Sequence, residues 1–210
     1  PVRTLDMTET DLIKQAYRSR VKELENTISS FIVNIVFKRD AFPHTKHNYY
    51  YQKEGHVWHL AAHTEENWPL AYSLLFASSS KTDGYAESMT ILTYMRFDEV
   101  EKWAGTFNTV SNEVERGRDY EEFKTRKAEN LINTVEEKFP GIRNAIKSYY
   151  TSTPLSYRDY IGNDDGSMYG IGDYRSHATI ARMFCAYYKT TNISTSNSAI
   201  PCSGGTKRYD

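Results

Sequence analysis

Residues 31–37, FIVNIVF, decide the fold class of this chain. The run is dense in β-branched residues and too short for a stable helix, and the charged residues 38–40 end it, so it predicts a buried strand. Residues 87–97, ESMTILTYMRF, predict a second strand with comparable force. Two such segments, far apart in the sequence, indicate a sheet built from non-local pairs.

Further elements are predicted on both sides of these two strands. Strands are predicted at 48–52, 56–60 and 70–78, and helices at 11–26, 98–103 and 119–138. Thr8 is expected to cap the first helix, and Asp98 with Glu101 to form a capping pair for the second. Pro140 and Gly141 end the third helix. Several strands with only a few packed helices predict an α+β domain with a mixed or antiparallel sheet.

The helix at 119–138 is predicted to be amphipathic. Its apolar residues Tyr120, Phe123, Leu131, Val135 and Phe139 should face the core. The charged residues between them should face solvent, and these are Glu121, Glu122, Lys124, Arg126 and Lys127.

Composition narrows the classes of function. The net charge of −1 provides no field that would gather nucleic acid. No apolar run approaches the ~18 residues of a transmembrane helix, and residues 1–7 lack an apolar secretory core. Neither Cys185 nor Cys202 has a CxxC partner, which favours a reduced, cytoplasmic setting. The N-terminal residues suggest that this chain is part of a longer protein.

The sequence shows no catalytic or metal motif. His59 and His63 have the i, i+4 spacing of zinc ligands on a helix, but Val57-Trp58 favours a strand, where such residues lie about 13 Å apart. Surface or interfacial histidines are therefore expected. Asp164-Asp165 lies in a predicted turn, 163–166, with no partner histidine nearby in the sequence. We predict neither a catalytic residue nor a metal site.

The segment 151–171, TSTPLSYRDYIGNDDGSMYGI, stands out from the rest of the chain. It is predicted to form an extended, aromatic strand at 153–160, followed by the polar turn. Its order of Thr-Pro-Leu-Ser, Tyr, Gly and then Tyr-Gly resembles the C-terminal signature of the FAD-dependent phytoene desaturase and retinol saturase (all-trans-retinol 13,14-reductase) family. The likeness extends over roughly residues 5–171.

The resemblance implies the substrate-binding part of an amine-oxidase-like flavoprotein. In that family, this part forms a sheet-and-helix cap over the flavin, where an isoprenoid lies, and FAD performs the redox chemistry. The residues that match the signature would face cofactor or substrate: Thr153, Pro154, Leu155, Tyr157, Tyr160, Gly166, Tyr169 and Gly170.

The sequence departs from the family in two respects. It contains no Gly-x-Gly-x-x-Gly unit for the phosphates of FAD, and the family pattern stops after Ile171. We therefore expect a substrate-binding-like domain at 1–171 and a divergent tail at 172–210. The whole would be a truncated relative that binds no FAD by itself and is inactive without a flavin-binding domain as partner.

An alternative class is a non-enzymatic domain that binds an apolar small molecule or self-associates as a homo-oligomer. The 17 tyrosines leave both functions open. They fit the edges of a core, and they also fit a flat apolar channel for an isoprenoid-like ligand.

Overall fold

A computed structural model describes residues 2–8, 12–53, 60–77 and 84–171. The chain divides into two compact units, one formed by residues 28–170 and the other by residues 1–27 together with residues from 171 onward. The predicted tail at 172–210 and most of the predicted strand at 56–60 lie outside the described residues.

The larger unit is built on a five-stranded antiparallel sheet with the strand order β2-β3-β4-β1-β5. The strands are β1 (Ser29–Phe37), β2 (Tyr49–Gln52), β3 (Ala71–Phe76), β4 (Ser88–Met95) and β5 (Ile146–Ser152). The two runs that predicted the fold class are the neighbours β1 and β4, and Val33 pairs with Ile91. The predicted α+β class is confirmed, and of the two sheet types that the sequence left open, mixed or antiparallel, the protein has the antiparallel one.

Helices follow the sheet strands in the second half of this unit. A 3₁₀ helix spans Phe97–Trp103, and α-helices span Arg118–Glu136 (α3), Ile142–Ala145 (α4) and Pro154–Ile161 (α5). The capping prediction for the 3₁₀ helix is wrong by two residues, because the N-cap is Arg96 and its backbone N–H donates to the Glu99 carboxylate.

Alternate residues of the strands point to one hydrophobic core. Phe31, Val33 and Ile35 of β1 and the matching residues of β3 and β4 are buried against α3, whose Phe123, Leu131 and Val135 join the same cluster. The period of two along the strands and the apolar side of α3 therefore meet as predicted.

Lys127 is the exception on α3. The sequence predicts that it faces solvent with its charged neighbours, but it is 1% exposed. Its ammonium lies over the rings of Trp68 and Phe123 and bonds to Glu65 and Glu99. The prediction is wrong because these carboxylates come from distant parts of the chain, and only they make burial of the charge tolerable.

The opposite side of the sheet, which we call the second face, has a different composition. It carries the intervening residues of the strands, which are half-buried or exposed except for Ser30. Ile32, Leu92 and Ser73 follow one another across β1, β4 and β3, and Tyr50 follows on β2. The sheet thus has one face in the core and one with mixed apolar and polar side chains.

The smaller unit contains two short helices among its described residues. They are α1 (Val2–Asp6) and α2 (Gln15–Lys22), and the side chain of Arg18 donates to the carbonyl oxygens of Leu5 and Thr8. Helix α2 begins after Lys14, so the predicted N-cap at Thr8 is wrong. None of the helices in the described part of the chain is long and apolar enough to cross a membrane.

Candidate functional site

An aromatic depression of about 230 Å³ lies where strands β2, β3 and β4 run side by side. Its walls include Tyr50, Leu60, Ala71, Leu92 and Tyr94, with Gln52 and Ser73 as polar members. Leu92 and Tyr94 are alternate residues of β4, so both point to the second face, and Ser73 is the partner of Leu92 on β3. The depression therefore belongs to the second face of the sheet.

The chemistry of this depression suits a flat apolar group. Four tyrosines and two leucines are among the lining residues, and the few polar atoms are neutral. The sequence analysis did not single out these residues. The signal available was the alternation within 88–95, which marks a two-sided strand but cannot tell which of its faces packs against α3.

The segment 151–171 adopts a different structure from the one predicted. Residues 154–161 form helix α5 rather than a strand. Thr153 is the N-cap, and its hydroxyl accepts from the Leu155 N–H while the Ser156 hydroxyl accepts from the Thr153 N–H. Pro154 occupies the first helical position, where its missing N–H costs nothing. The predicted turn at 163–166 is confirmed by a bond from the Gly166 N–H to the Asn163 carbonyl.

Three of the predicted site residues lie in the interior. Thr153, Pro154 and Leu155 are buried, and the hydroxyl of Thr153 also bonds to that of Tyr120. Gly166 packs directly on the backbone of Pro154. These four residues hold the segment together, and their contacts are with the protein itself.

The remaining four predicted residues lie nearer the surface. The hydroxyl of Tyr157 bonds to that of Ser30, and the hydroxyl of Tyr160 accepts from the Val110 N–H. The rings of Tyr160 and Tyr169 are 62% and 76% exposed. Gly170 has open space where a side chain would lie. Tyr160, Tyr169 and Gly170 are therefore accessible, but they do not line the aromatic depression.

The sequence analysis missed a buried ion cluster in the same segment. Asp159 has no exposed side-chain surface and accepts from both Arg116 and Arg158. The Asn108 N–H donates to the same carboxylate, and Arg158 also donates to the carbonyl oxygens of Ala104 and Thr106. This cluster fixes α5 to the loop at 104–117, so the Arg-Asp pair of the signature is structural.

A second, more polar cavity of about 630 Å³ lies between the start of α3 and α5. Arg116, Arg118 and Lys124 line it, but each of them already pairs with a carboxylate: Asp159, Glu122 and Glu121 respectively. Glu115 and Glu121 also line the cavity. Since the charges balance, the cavity exerts little net attraction on an anion.

The described residues fit FAD only in part. Tyr160, Tyr169 and Gly170 offer exposed aromatic surface and space beside the backbone. In the described ranges, however, no glycine-rich turn leads from a strand into a helix, which is the feature that cradles a pyrophosphate. The space beside Gly166, where a cofactor could approach the backbone, is occupied by the backbone of Pro154. We therefore assign no chemical step of FAD to these residues.

The histidine pair does not combine as a metal site in the part of the chain that the structure covers. His59 is outside the described residues, and His63 is 3% exposed and bonded to Glu99. Of the predicted alternatives, surface or interfacial histidines, the surface position does not hold for His63, which is buried within the domain. Among the described residues, no group of three His, Cys, Asp or Glu side chains is arranged to hold a metal ion.

Comparisons with known proteins found no match for this chain. No protein-family model matches the sequence, and neither a curated protein nor a solved structure matches it. Any function must therefore be argued from the residues themselves.

Proposed function

We propose that residues 28–170 form the substrate side of a flavin-dependent isoprenoid oxidoreductase of the carotenoid desaturase and retinol saturase type. The observation that supports this proposal is the two-sided sheet with the aromatic depression on its second face. A cap over a flavin needs one face packed on its own core and another that can lie against a long apolar molecule. Residues 28–170 have both.

The depression sets the class of substrate. It is too small to enclose a whole isoprenoid, but it suits one ring or a few methyl-bearing carbons of a longer chain. Tyr50 and Tyr94 supply flat contact, and Leu92 supplies the apolar floor. A polyene would extend from the depression across the second face onto Ile32 of β1, the strand partner of Leu92.

FAD enters this proposal as the redox partner that the family resemblance implies. It would be bound chiefly by residues outside this sequence, because residues 1–210 contain no Gly-x-Gly-x-x-Gly unit. We propose no catalytic residue in this chain, whose part is to bind and orient the substrate. By itself the domain would then be inactive.

The test is a titration with all-trans-retinol, followed by its fluorescence, on the wild type and two variants. Leu92→Asn places an amide in the depression and is expected to weaken binding about tenfold, since the contact area of one leucine is lost. Val36→Asn makes a similar change on the same face outside the depression and should bind nearly as well as the wild type. Absence of saturable binding, or equal loss in both variants, would contradict the proposed site.

A second candidate function is self-association through the second face. It is favoured by Tyr50 and Tyr150, which are 76% and 67% exposed on this face. Sedimentation velocity at several concentrations separates the two functions. A dimer that Tyr150→Lys dissociates, with no retinol binding in either form, would support the interaction domain and exclude the substrate domain.

A further inference from the structure

Several large apolar side chains lie exposed on the loop 104–117 and on the end of α5 beside it. Their exposed fractions run from 40% to 80%, and the residues are Phe107, Val110, Val114, Tyr160 and Ile161. Val110 is the most exposed of them. Single apolar residues are common on protein surfaces, whereas several on one loop and its neighbouring helix mark a surface that contacts something else.

Val110 lies in a tight turn that is bonded to Tyr160 of α5. Thr109 and Asn112 each donate a backbone N–H to the carbonyl oxygen of the other, over 3.1 and 3.0 Å, which places Val110 and Ser111 at the end of the turn. The Val110 N–H donates to the Tyr160 hydroxyl over 3.0 Å. We call the turn 109–112 together with Tyr160 the apolar tip.

Several polar groups of the apolar tip are bonded to one another. Besides the N–H groups of Thr109, Val110 and Asn112, the hydroxyls of Thr109 and Ser111 form a hydrogen bond over 3.2 Å. A polar group that keeps its partner can leave water at little cost, whereas an unpaired one is strongly disfavoured in an apolar medium. The internal hydrogen bonds therefore suit the tip to contact with such a medium.

The loop that carries the tip is fastened to α5 on both of its arms. Asp159 accepts from the Asn108 N–H on one arm and from Arg116 on the other. The side-chain amide of Asn108 donates to the Val114 carbonyl over 2.8 Å and joins the two arms. Exposure of Val110 is thus fixed by the fold around it.

The charge around the apolar tip is net negative. The loop, α5 and the turn after it contain two arginines and five carboxylates, which are Arg116, Arg158, Glu113, Glu115, Asp159, Asp164 and Asp165. The cations of the adjoining 3₁₀ helix and of the start of α3 each pair with a carboxylate: Lys102 with Asp119, Arg118 with Glu122, and Lys124 with Glu121. Such a surface repels nucleic acid and anionic lipid, but it complements the ammonium groups that lie outermost on a zwitterionic phospholipid.

We propose that the apolar tip inserts into the surface of a zwitterionic phospholipid bilayer and attaches residues 28–170 to it peripherally. Val110 enters the boundary of the acyl chains, and Tyr160 lies at the level of the headgroups, where tyrosine rings are favoured. Phe107, Val114 and Ile161 add apolar contact. This attachment goes beyond the proposed function, since it requires neither FAD nor an isoprenoid.

The closing experiment is flotation of the protein with vesicles of phosphatidylcholine that contain no retinol. We expect the protein to rise with the vesicles. The bound fraction should not increase when phosphatidylglycerol is added or when the salt is lowered from about 0.5 M to about 0.05 M, because the contact is apolar and the nearby charge is negative.

Three variants localise the contact. Val110→Asp places a carboxylate at the end of the tip and is expected to lower the partition coefficient at least about tenfold. Val110→Trp is expected to raise it about tenfold, because an indole is favoured at that depth. The matched control is Val36→Asp, which makes the same change at an exposed valine of β1 outside the tip and should bind like the wild type.

The outcomes separate the bilayer from other partners. Flotation that requires phosphatidylglycerol, equal flotation of the wild type and Val110→Asp, or no flotation of the wild type and Val110→Trp would overturn the proposal. So would a dimer in sedimentation velocity that Val110→Asp dissociates without any flotation, because the tip would then bind a second copy of the chain. The retinol titration without vesicles tests the proposed function separately, and Val110→Asp should leave it unchanged, since Val110 does not line the aromatic depression.

Discussion

Gly166 shows at the residue scale why a single position in the segment 151–171 tolerates only glycine. Its φ is +62°, a left-handed conformation that L-residues with side chains rarely adopt. A Cβ at this position would also collide with the backbone carbonyl of Pro154, which opens α5. The turn and the helix start therefore contact each other through the bare backbone.

Gly166→Ala is expected to destabilise the domain by at least about 2 kcal/mol, because the positive φ and the collision with Pro154 act together. Gly170→Ala is the matched control. Its φ is +71°, but a Cβ would meet nothing within 4 Å, so only the backbone cost of about 1 kcal/mol applies. Urea unfolding of both variants measures the difference. Equal losses would show that the contact with Pro154 carries no energy.

At the scale of the element, α5 shows that capping residues can start a helix in a segment whose aromatic residues favour a strand. Residues 153–160 contain three residues typical of strands, and the residue before a proline prefers extended angles. Thr153 does have extended angles, with φ −120° and ψ 175°. These are also the angles of an N-cap, and Pro154 at the first helical position together with Ser156 completes the capping pattern. The helix-start signals were present in the sequence and were outweighed by its aromatic content.

Asp159→Asn is expected to destabilise the attachment of α5 by about 3 kcal/mol, because it leaves Arg116 and Arg158 buried without a counter-charge. Asp164→Asn, in the exposed part of the neighbouring turn, is the control and should change stability by less than about 0.5 kcal/mol. Chemical denaturation gives both values, and hydrogen exchange within 104–117 should increase in Asp159→Asn alone. Unchanged stability in that variant would refute the anchoring role of the cluster.

At the scale of the whole domain, one buried charge network joins parts of the chain that are far apart in sequence. Lys127 of α3, Glu99 of the 3₁₀ helix and Glu65 and His63 of the segment before β3 meet through direct hydrogen bonds. The ammonium of Lys127 also lies 4.5 Å from the centroid of the Trp68 ring, whose edge contacts Phe31 of β1. The network thus connects the helical layer to the central strand.

Stability should fall in acid because of Glu99. Its pKa is about 2 in the folded protein against 4.5 ordinarily, so its contribution is complete above pH 4.5 and is lost as the pH falls towards 2. The difference corresponds to stabilisation on the order of 3 kcal/mol. Unfolding free energies measured across this range should fall more steeply for the wild type than for Glu99→Gln. The control is Glu122→Gln, which removes an exposed carboxylate that pairs with Arg118 and should keep the wild-type slope. If the free energy of unfolding of Glu99→Gln fell with pH as steeply as that of the wild type, Glu99 would not be the group responsible.

The local sequence pattern was sufficient to predict the sheet, but it was not sufficient to predict which charged residues are buried. The strands β1 and β4 and the helix α3 were predicted within a few residues, because the period of apolar residues reflects burial directly. Lys127, His63 and Asp159 were missed, because a charged residue in a sequence looks solvent-exposed until its partners are known. The aromatic depression was missed for a related reason, since its walls come from three strands and a loop.

The sequence by itself determined the α+β class, the central strands and the amphipathic helix that covers them, because each depends on neighbours along the chain. The tertiary structure alone decided which face of the sheet is buried, that the signature segment forms a capped helix held by Asp159, and that His63 lies between Leu60 and Glu99. These features arise from contacts between residues that are distant in sequence. A buried charge or a binding surface exists only when such contacts supply its partners.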